Sequence, residues 1–312
     1  MYLLGLDIGG TKCAAVTAEW DGGELTLGER VECPTDHTIT GEEMTARILS
    51  LAEGITNHRP DAIGISCGGP LDAAGGVVLS PPNLPAFRGT PVAAMASTHF
   101  GAPTRLVNDA NAGAVAEWKF GAGRGLSSLI FLTLGTGLGA GLILGGRLYE
   151  GRSGNAGEVG HIRLANDGPL GFGKHGSFEG FCSGGGIARL AWQMAAEAAT
   201  PPAFLHPGMR AEELTTRDLA TAARAGDPIA REVFRISGER LGEGLAILAD
   251  ILDVEAFVIG SVYARCEDLL RDACLRRFRE EVLPEAAAAC RILPAALGDR
   301  IGDFAALGAA LL

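Results

Sequence analysis

The feature that most constrains the fold is a pattern that occurs twice along the chain. Each copy has an apolar, β-prone segment, a glycine-rich turn that contains threonine, and a second apolar segment. The copies are YLLGLDIGGTKCAAVTAE near the amino terminus and FLTLGTGLGAGLIL at residues 131–144. Such segments around a glycine turn predict a β-hairpin, because glycine readily adopts the positive φ of tight turns. Two similar hairpins in a chain of 312 residues predict two related lobes.

Strands and helices are predicted to alternate through the rest of the chain. ELTLGERVECPT would add a third strand to an antiparallel opening sheet, and AIGISCGG, TRLVN, AFVIGSV and CRILPA read as later strands. Helices are predicted at 41–56, after Pro91, from Asn108 onward, at 267–281 and at 301–312, with long helical periodicity over 218–252. This alternation predicts an α/β protein.

The overall charge and hydropathy exclude several classes of partner. The formal net charge is −11, which argues against nucleic acid or an anionic membrane, since phosphate contacts need clustered Lys and Arg. No apolar stretch approaches the ~20 residues of a membrane span, and the first residues contain no basic leader. The seven cysteines are scattered, as expected of reduced thiols. The sequence therefore predicts a cytoplasmic protein.

The two glycine turns, DIGGTK and TLGTGLGAG, are candidate phosphate sites. Successive backbone N–H groups in such turns can bind an anion, and Thr133 and Thr136 add hydroxyl donors. The alternative for either turn alone is a hairpin that needs glycine only for its backbone conformation. The occurrence of two such turns, both with threonine, favours a nucleotide phosphate clamp.

VNDANA places Asn108 and Asp109 where a strand passes into a helix. A carboxylate at this position could take the proton of a substrate hydroxyl as that oxygen attacks a phosphoryl group. The alternative is an ordinary helix cap. Further along, Glu158, His161 and Glu179 lie in glycine-rich segments. Each alone could be a solvated loop residue, but beside a phosphate clamp they suggest recognition of a hydroxyl-rich substrate.

In this order, LGLDIGGTK, VNDANA, LTLGTGLGAG, GNAGEVGH and GDFAALGAALL resemble the ROK sugar kinases of the actin-like ATPase superfamily. The resemblance covers nearly the whole chain. It implies a ribonuclease H-like fold of two lobes around a cleft that holds the active site. The small lobe would comprise residues 1–108, completed by a helix at 300–312, and the large lobe residues 109–299.

The resemblance also implies a role for each matching residue. Asp109 would be the general base and Asp7 would hold magnesium through water. The residues that would bind ATP are Gly9, Gly10, Thr11, Lys12, Thr133, Gly135, Thr136, Gly137, Gly260 and Ser261. The residues that would bind the sugar are Gly68, Gly69, Asn83, Asn108, Asp109, Glu158, His161 and Glu179.

The sequence departs from the family pattern at three places. The family's zinc-binding cysteine segment is replaced by PLGFGKHGSFEG, and His161, His175 and Cys182 would make only an improvised ligand set, so no structural zinc is expected. The adenosine segment VIGSVYAR has one glycine where the family often has two or three. No helix-turn-helix precedes the first hairpin, which disfavours a transcriptional role.

The predicted activity is ATP-dependent phosphorylation of a hexose at its 6-hydroxyl. Glucose is the default substrate, with allose, mannose, fructose and N-acetylhexosamines as alternatives, and polyphosphate as an alternative donor. A non-catalytic sugar sensor and an ATPase that acts on no sugar are the competing hypotheses. The resemblance further implies a homodimer.

Overall fold

Fourteen strands and eleven α-helices run through residues 1–312, all of which the computed structural model describes. The strands are β1 (Tyr2–Ile8), β2 (Lys12–Trp20), β3 (Leu25–Pro34), β4 (Ala62–Cys67), β5 (Leu71–Asp72), β6 (Val77–Val78), β7 (Thr104–Asn108), β8 (Leu129–Leu134), β9 (Leu138–Leu144), β10 (Arg147–Tyr149), β11 (Leu170–Gly171), β12 (Lys174–His175), β13 (Ala256–Ser261) and β14 (Arg291–Pro294). The helices are α1 (Gly41–Glu53), α2 (Val92–Phe100), α3 (Asp109–Phe120), α4 (Phe178–Cys182), α5 (Gly184–Ala196), α6 (Thr216–Ala225), α7 (Pro228–Leu252), α8 (Val262–Arg265), α9 (Glu267–Glu281), α10 (Pro284–Ala289) and α11 (Ile301–Ala309). The predicted α/β class is confirmed.

The chain forms two units. The first comprises 1–125, 141–156 and 296–312, and the second comprises 126–140 and 157–295. The lobe boundaries predicted from the sequence, at residues 108 and 300, stay predictions.

The sheet of the first unit has the strand order β3-β2-β1-β4-β7. Strands β1, β2 and β3 are antiparallel neighbours, whereas β1, β4 and β7 are parallel. The register pairs Ile8 with Cys67 and Cys67 with Asn108. The carboxyl ends of the three parallel strands therefore share one edge, where α/β sheets commonly bind ligands.

The apolar core of the first unit covers one face of this sheet with α1 and α2. Strand residues such as Leu4 and Ile65 lie against helix residues such as Met44 and Ile48, all of them buried. Each fully buried Leu or Ile contributes roughly 1.5–3 kcal/mol. On the other face Leu307 of α11 packs with strand residues.

Glycines let α11 approach the first sheet closely. A Cβ on Gly64 of β4 would lie 2.0 Å from the carbonyl oxygen of Ala306, and one on Gly5 of β1 would lie 3.0 Å from the backbone nitrogen of Leu307. A contact of 2.0 Å is not tolerated, and one of 3.0 Å would force the neighbouring backbone to shift. The backbone of α11 is therefore held directly on β1 and β4.

Two predicted helix boundaries were wrong, and the region of predicted helical periodicity is divided. The helix predicted to reach residue 56 ends at Glu53, and the one predicted to reach 312 ends at Ala309. The region 218–252 contains two helices, because Gly226 has φ 103° and ends α6, after which Asp227 caps α7 and Pro228 occupies its first position.

The second sheet has the strand order β10-β9-β8-β13-β14. Within the second unit, β8, β13 and β14 are parallel neighbours. Helices α7 and α9 approach closely at Gly238 and Gly242, where an added Cβ would lie 2.7 Å from the Leu270 carbonyl and 2.5 Å from the Cys274 carbonyl. No helix has the length and apolar character to cross a bilayer.

Candidate active site

The first glycine turn joins β1 to β2 in the first unit. The Gly9 N–H donates to the Lys12 carbonyl at 3.1 Å. A Cβ on Gly10 would lie 2.8 Å from both Cβ and the carbonyl oxygen of Asn83, so only glycine fits between this turn and the Asn83 backbone. The structure thus brings together two segments that the sequence assigned separately to ATP and to sugar.

Two residues that sequence reasoning missed hold the same turn. Thr35 donates its hydroxyl to the Gly9 carbonyl at 2.6 Å, and a ring nitrogen of His37 lies 2.8 Å from the Gly10 carbonyl. The backbone N–H of Thr35 also donates to the Thr11 carbonyl at 3.0 Å. These contacts direct the turn carbonyls toward β3 and the loop after it. No local motif marks Thr35 or His37.

A chain of charged side chains extends from this turn to α11. The Lys12 ammonium lies 3.0 Å from Glu32, and Arg30 donates to Glu32 at 2.7 Å. Arg30 also donates through Nε to both carboxylate oxygens of Asp303, at 2.8 and 3.1 Å. Asp303 is only 5% exposed. The Arg30–Asp303 pair is therefore the better shielded part of the chain, since exposed pairs such as Lys12–Glu32 contribute only ~0.2–1 kcal/mol.

Asp7 lies near the end of β1 among other carboxylates. Burial of its carboxyl, and then the negative charges of Asp109 and Asp303, raise the pKa of Asp7 to about 6, although Lys12 and Arg30 oppose the shift. On one side its carboxylate lies against Gly302, where an added Cβ would be 2.5 Å from Oδ2.

Asn108 and Asp109 form the start of α3. Asn108 is the N-cap, and its Oδ1 accepts the Ala110 N–H at 3.0 Å; Asp109 Oδ1 accepts the same N–H at 2.8 Å. Both side chains therefore contribute to the helix cap. Asp109 Oδ2 makes no part of this cap and lies on the side of Gly68, 3.7 Å from the position of an added Gly68 Cβ. Gly69 lies against Asn108, since an added Cβ would be 3.1 Å from Nδ2.

The side chain of Asp109 reaches solvent, yet many protein atoms surround it. The resulting loss of hydration raises the pKa of its carboxyl, while the backbone N–H groups of Ala110 and of Asp109 itself lower it. The cause is therefore burial and not a single charged neighbour. Such a carboxyl is a stronger proton acceptor than an ordinary aspartate.

The second glycine turn joins β8 to β9, with Gly135, Thr136 and Gly137 between the strands. Thr133 Oγ1 lies 3.2 Å from Ser261 Oγ, because Thr133 of β8 is the register partner of Gly260 in β13. Ser261 has φ 56°, which is unusual for a residue other than glycine. The structure thus brings the predicted phosphate turn and the predicted adenosine segment together within the second unit.

Glu179 of α4 contacts this second turn. Its Oε2 accepts the Leu138 N–H at 3.0 Å and would lie 2.8 Å from a Cβ on Gly137. The Glu179 Cβ would also be 3.3 Å from a Cβ on Gly160. Glu179, predicted as a sugar ligand, is therefore already a hydrogen-bond acceptor for the turn that was predicted to bind phosphate.

The amino terminus of α5 is a further part of the second unit that sequence reasoning missed. The Gly184 N–H donates to the Gly135 carbonyl at 2.8 Å, and Ser183 caps the helix by accepting the Gly186 N–H at 2.9 Å. The start of a 13-residue helix thus adjoins the second turn, and helix amino termini favour anions. The run SGGG was the signal that could have predicted it, since serine is a common N-cap.

Glu158 precedes a short 3-10 helix, Val159–His161, whose last residue is His161, and both side chains are exposed. The His161 carbonyl accepts from the Lys174 ammonium at 2.6 Å, and its ring makes an edge contact with Phe172 at 5.1 Å between centroids. Phe172 is 72% exposed. These contacts come from the segment that replaces the family's zinc-binding cysteines.

No group of three or more His, Cys, Asp or Glu side chains is arranged to hold a metal ion. Cys182 is buried and donates toward the Ser237 carbonyl, whereas a ring nitrogen of His175 lies 2.9 Å from the Gly168 carbonyl. The expectation that the protein lacks structural zinc stays a prediction.

These features define an α/β protein in which polar side chains and glycine turns gather at the ends of strands. Comparison with known protein families identifies the class: the chain belongs to the ROK family, whose model matches residues 3–312. The predicted resemblance is thus confirmed.

Individual relatives are similar over nearly the full chain. Glucokinase from Streptomyces coelicolor is 36% identical over 289 residues, which cover 88% of this chain and 86% of that protein. The crystal structure of a ROK family glucokinase from Streptomyces griseus in complex with glucose and AMPPNP is 35% identical, has a TM-score of 0.77, and covers 99% of this chain and 98% of that one. The ROK hexokinase from Thermus thermophilus is 32% identical with a TM-score of 0.83, covering 100% of this chain and 98% of that one.

Proposed function

We propose that this protein is an ATP-dependent hexose kinase that transfers the terminal phosphoryl group of ATP to the 6-hydroxyl of glucose or a related sugar. The observation that carries the proposal is the environment of Asp109: burial raises the pKa of its carboxyl at the start of α3, beside Asn108, Gly68 and Gly69. The glucokinase relatives, one of them in complex with glucose and AMPPNP, support the same activity and ATP as the donor.

In this mechanism Asp109 accepts the proton of the sugar hydroxyl as the oxygen attacks phosphorus. Ala110 donates its N–H to Oδ1, which orients the carboxyl and leaves Oδ2 available to the hydroxyl. Asn108, Gly68, Gly69 and Asn83 would contact the sugar from the same unit. Glu158, His161 and Glu179 would supply further hydroxyl partners from the second unit.

The chemistry around Asp7 suits magnesium. Burial, and then the charges of Asp109 and Asp303, disfavour its ionised form. A divalent cation would relieve the repulsion, since hard cations prefer carboxylate oxygen. Asp7 would hold magnesium through water, and that cation would neutralise charge on the phosphoryl groups.

The two glycine turns would bind ATP. Gly9, Gly10, Thr11 and Lys12 would contact phosphates from the first unit, and Thr133, Gly135, Thr136 and Gly137 from the second. Gly260 and Ser261 would adjoin the adenosine. The amino terminus of α5, which adjoins Gly135, adds favourable electrostatics for phosphate.

The test is Asp109→Asn with Asp227→Asn as the matched control. Both aspartates stand at a helix start and accept a backbone N–H, and Asn caps a helix about as well as Asp. Loss of the base should lower kcat by a factor of ~10²–10⁴, whereas the control should keep wild-type kcat in a coupled ADP-release assay. Most of the wild-type rate in Asp109→Asn would refute the assigned base.

The same assay across hexoses identifies the substrate and separates the alternatives. ADP release that needs a hexose, with product phosphorylated at the 6-position by NMR, supports the kinase. Sugar binding without turnover would indicate a sensor, and sugar-independent ADP release would indicate an ATPase. Substitution of polyphosphate for ATP tests the donor, and sedimentation tests the homodimer that we also propose.

A further inference from the structure

Glu117 carries a carboxylate in the interior of the first unit. It lies in the last turn of α3 and is 0% exposed. Its Oε2 accepts the N–H groups of Ala122 at 2.8 Å and Ala296 at 3.2 Å, and its Oε1 accepts the N–H of Leu297 at 2.9 Å. A buried carboxylate is costly unless donors replace its lost hydration. Three backbone donors meet that requirement here.

The donors come from two segments that are far apart in sequence. Ala122 follows α3 and precedes Gly125, the last residue before the chain first leaves the first unit. Ala296 is the residue at which the chain returns to that unit for the last time. One side chain thus fixes the departing and the returning segment to each other.

These two segments are continuous with the helices that carry or contact the proposed catalytic aspartates. Helix α3 begins at Asp109. The returning segment leads into α11, whose Gly302 lies against the Asp7 carboxylate. Any axial shift of α3 relative to α11 would therefore change the placement of Asp109 relative to Asp7.

The buried centre of the interface between α3 and α11 is built from small side chains, and one larger pair, Phe120 and Phe304, meets beside it at 5.7 Å between ring centroids. Ala112 and Ala116 of α3 pack with Ala305 and Ala309 of α11 in one buried cluster, and Gly308 lies against α3 as well. Side-chain ridges normally fix the register of packed helices. Alanine and glycine provide shallow ridges, so directional hydrogen bonds at the helix end have more influence on register.

We propose that Glu117 is a positioning residue for the phosphoryl transfer: its carboxylate fixes the register of α3 against α11 and so the placement of Asp109 relative to Asp7. The inference rests on the proposed function of these two aspartates. Glu117 itself touches neither substrate nor cofactor in this proposal.

The sharpest test removes one donor and leaves the carboxylate in place. Leu297 has φ −80°, which proline can adopt, so Leu297→Pro deletes the N–H that donates to Oε1. Leu297→Ala is the matched control, because it removes the leucine side chain and keeps the donor. Glu117→Gln is the second variant. It replaces one carboxylate oxygen by an amide NH₂ group, which cannot accept a hydrogen bond from the backbone N–H that faces it.

A displaced catalytic group lowers turnover more than binding, so Leu297→Pro and Glu117→Gln should each lose about tenfold or more in kcat. The KM values for sugar and ATP should stay within about twofold of wild type, and Leu297→Ala should keep kcat within about twofold. If Glu117 had only a structural role, the variants would have a lower melting temperature but would not show a fall in kcat at unchanged KM.

Equal kcat in Leu297→Pro and Leu297→Ala would overturn the proposal, as would wild-type kcat in folded Glu117→Gln. If Glu117→Gln does not fold, the Leu297 pair decides alone. Asp109→Asn is assayed in parallel. Retained activity in Asp109→Asn would refute the proposed base, whereas a normal kcat in Leu297→Pro would refute only the positioning role of Glu117.

Discussion

Gly302→Ala should impair catalysis while leaving the fold intact. A methyl group on Gly302 would lie 2.5 Å from Asp7 Oδ2 and 3.2 Å from its Cγ. Favourable contacts between heavy atoms lie near 3.5 Å, so the methyl and the carboxylate must separate by about 1 Å. The backbone of α11 is held on the sheet at Gly5 and Gly64, and therefore the Asp7 side chain is the group that moves.

The expected magnitudes differ for stability and activity. An Asp7 side chain displaced from its rotamer costs ~0.5–1.5 kcal/mol, and alanine returns up to ~1 kcal/mol over glycine in a helix. The free energy of unfolding should change by less than about 1 kcal/mol. Displacement of a catalytic group by 1 Å can cost ~10²-fold, so kcat should fall by one to two orders of magnitude.

Urea unfolding and the ADP-release assay at several magnesium concentrations measure these two effects. Gly23→Ala is the control, because a Cβ there would have 3.8 Å to its nearest neighbour, Asp21, and both quantities should stay at wild-type values. If Gly302→Ala kept kcat within twofold of wild type, the assigned importance of the Asp7 position would be wrong.

Two further predictions concern stability. Gly64→Ala should lower the free energy of unfolding by about 3 kcal/mol or more, measured in urea, because its Cβ would lie 2.0 Å from the Ala306 carbonyl; an unchanged midpoint would show that α11 can move away from β4. The pKa of Asp7 is raised from 3.8 to about 6, so folding binds its proton more tightly, and its contribution to stability is complete below pH ~4 and is lost as the pH rises through about 6. Metal-free wild type and Asp7→Asn should therefore differ in the pH dependence of unfolding between pH 4 and 7, and parallel curves would contradict the shift.

Local signals made much of the fold predictable. The β1–β2 and β8–β9 hairpins follow from apolar segments around glycine turns, and the start of α3 follows from Asn108 and Asp109. Both depend on residues within a few positions of one another. Helix ends were less predictable where the stop signal is weak: Gly54 follows Glu53 as the C-cap of α1 but has ordinary right-handed helical φ and ψ.

Contacts between distant segments could not be predicted in this way. Nothing near Glu117 indicates that its carboxylate meets Ala296, and nothing near Arg30 indicates that it pairs with Asp303. These contacts depend on how α11 lies on the first sheet, which is a property of the assembled unit. Resemblance to a family supplied the site residues but not these supporting ones.

Some of the glycines predicted to bind phosphate are explained by protein contacts alone. Two of the four predicted ones are already required by neighbouring backbone. A Cβ on Gly9 would lie 2.8 Å from the Lys12 carbonyl, and one on Gly10 would lie 2.8 Å from the Asn83 carbonyl. The turn alone explains glycine at these two positions, so substitution there would disturb the fold together with any ligand. A Cβ on Gly137 would meet the Glu179 carboxylate at 2.8 Å, which is the end of a side chain that can move.

Gly135 is different, and it gives the cleanest test of nucleotide binding. A Cβ there would meet nothing nearer than Thr133 Oγ1 at 3.9 Å, and its φ is not positive, so the protein alone tolerates alanine. If a phosphate approaches this backbone, Gly135→Ala should raise the KM for ATP about tenfold or more, as loss of ~1.4 kcal/mol or more of binding requires, with unchanged urea unfolding and unchanged sugar KM. An unaltered KM for ATP would mean that glycine at 135 serves neither the fold nor the nucleotide, and the second turn would lose its assigned role.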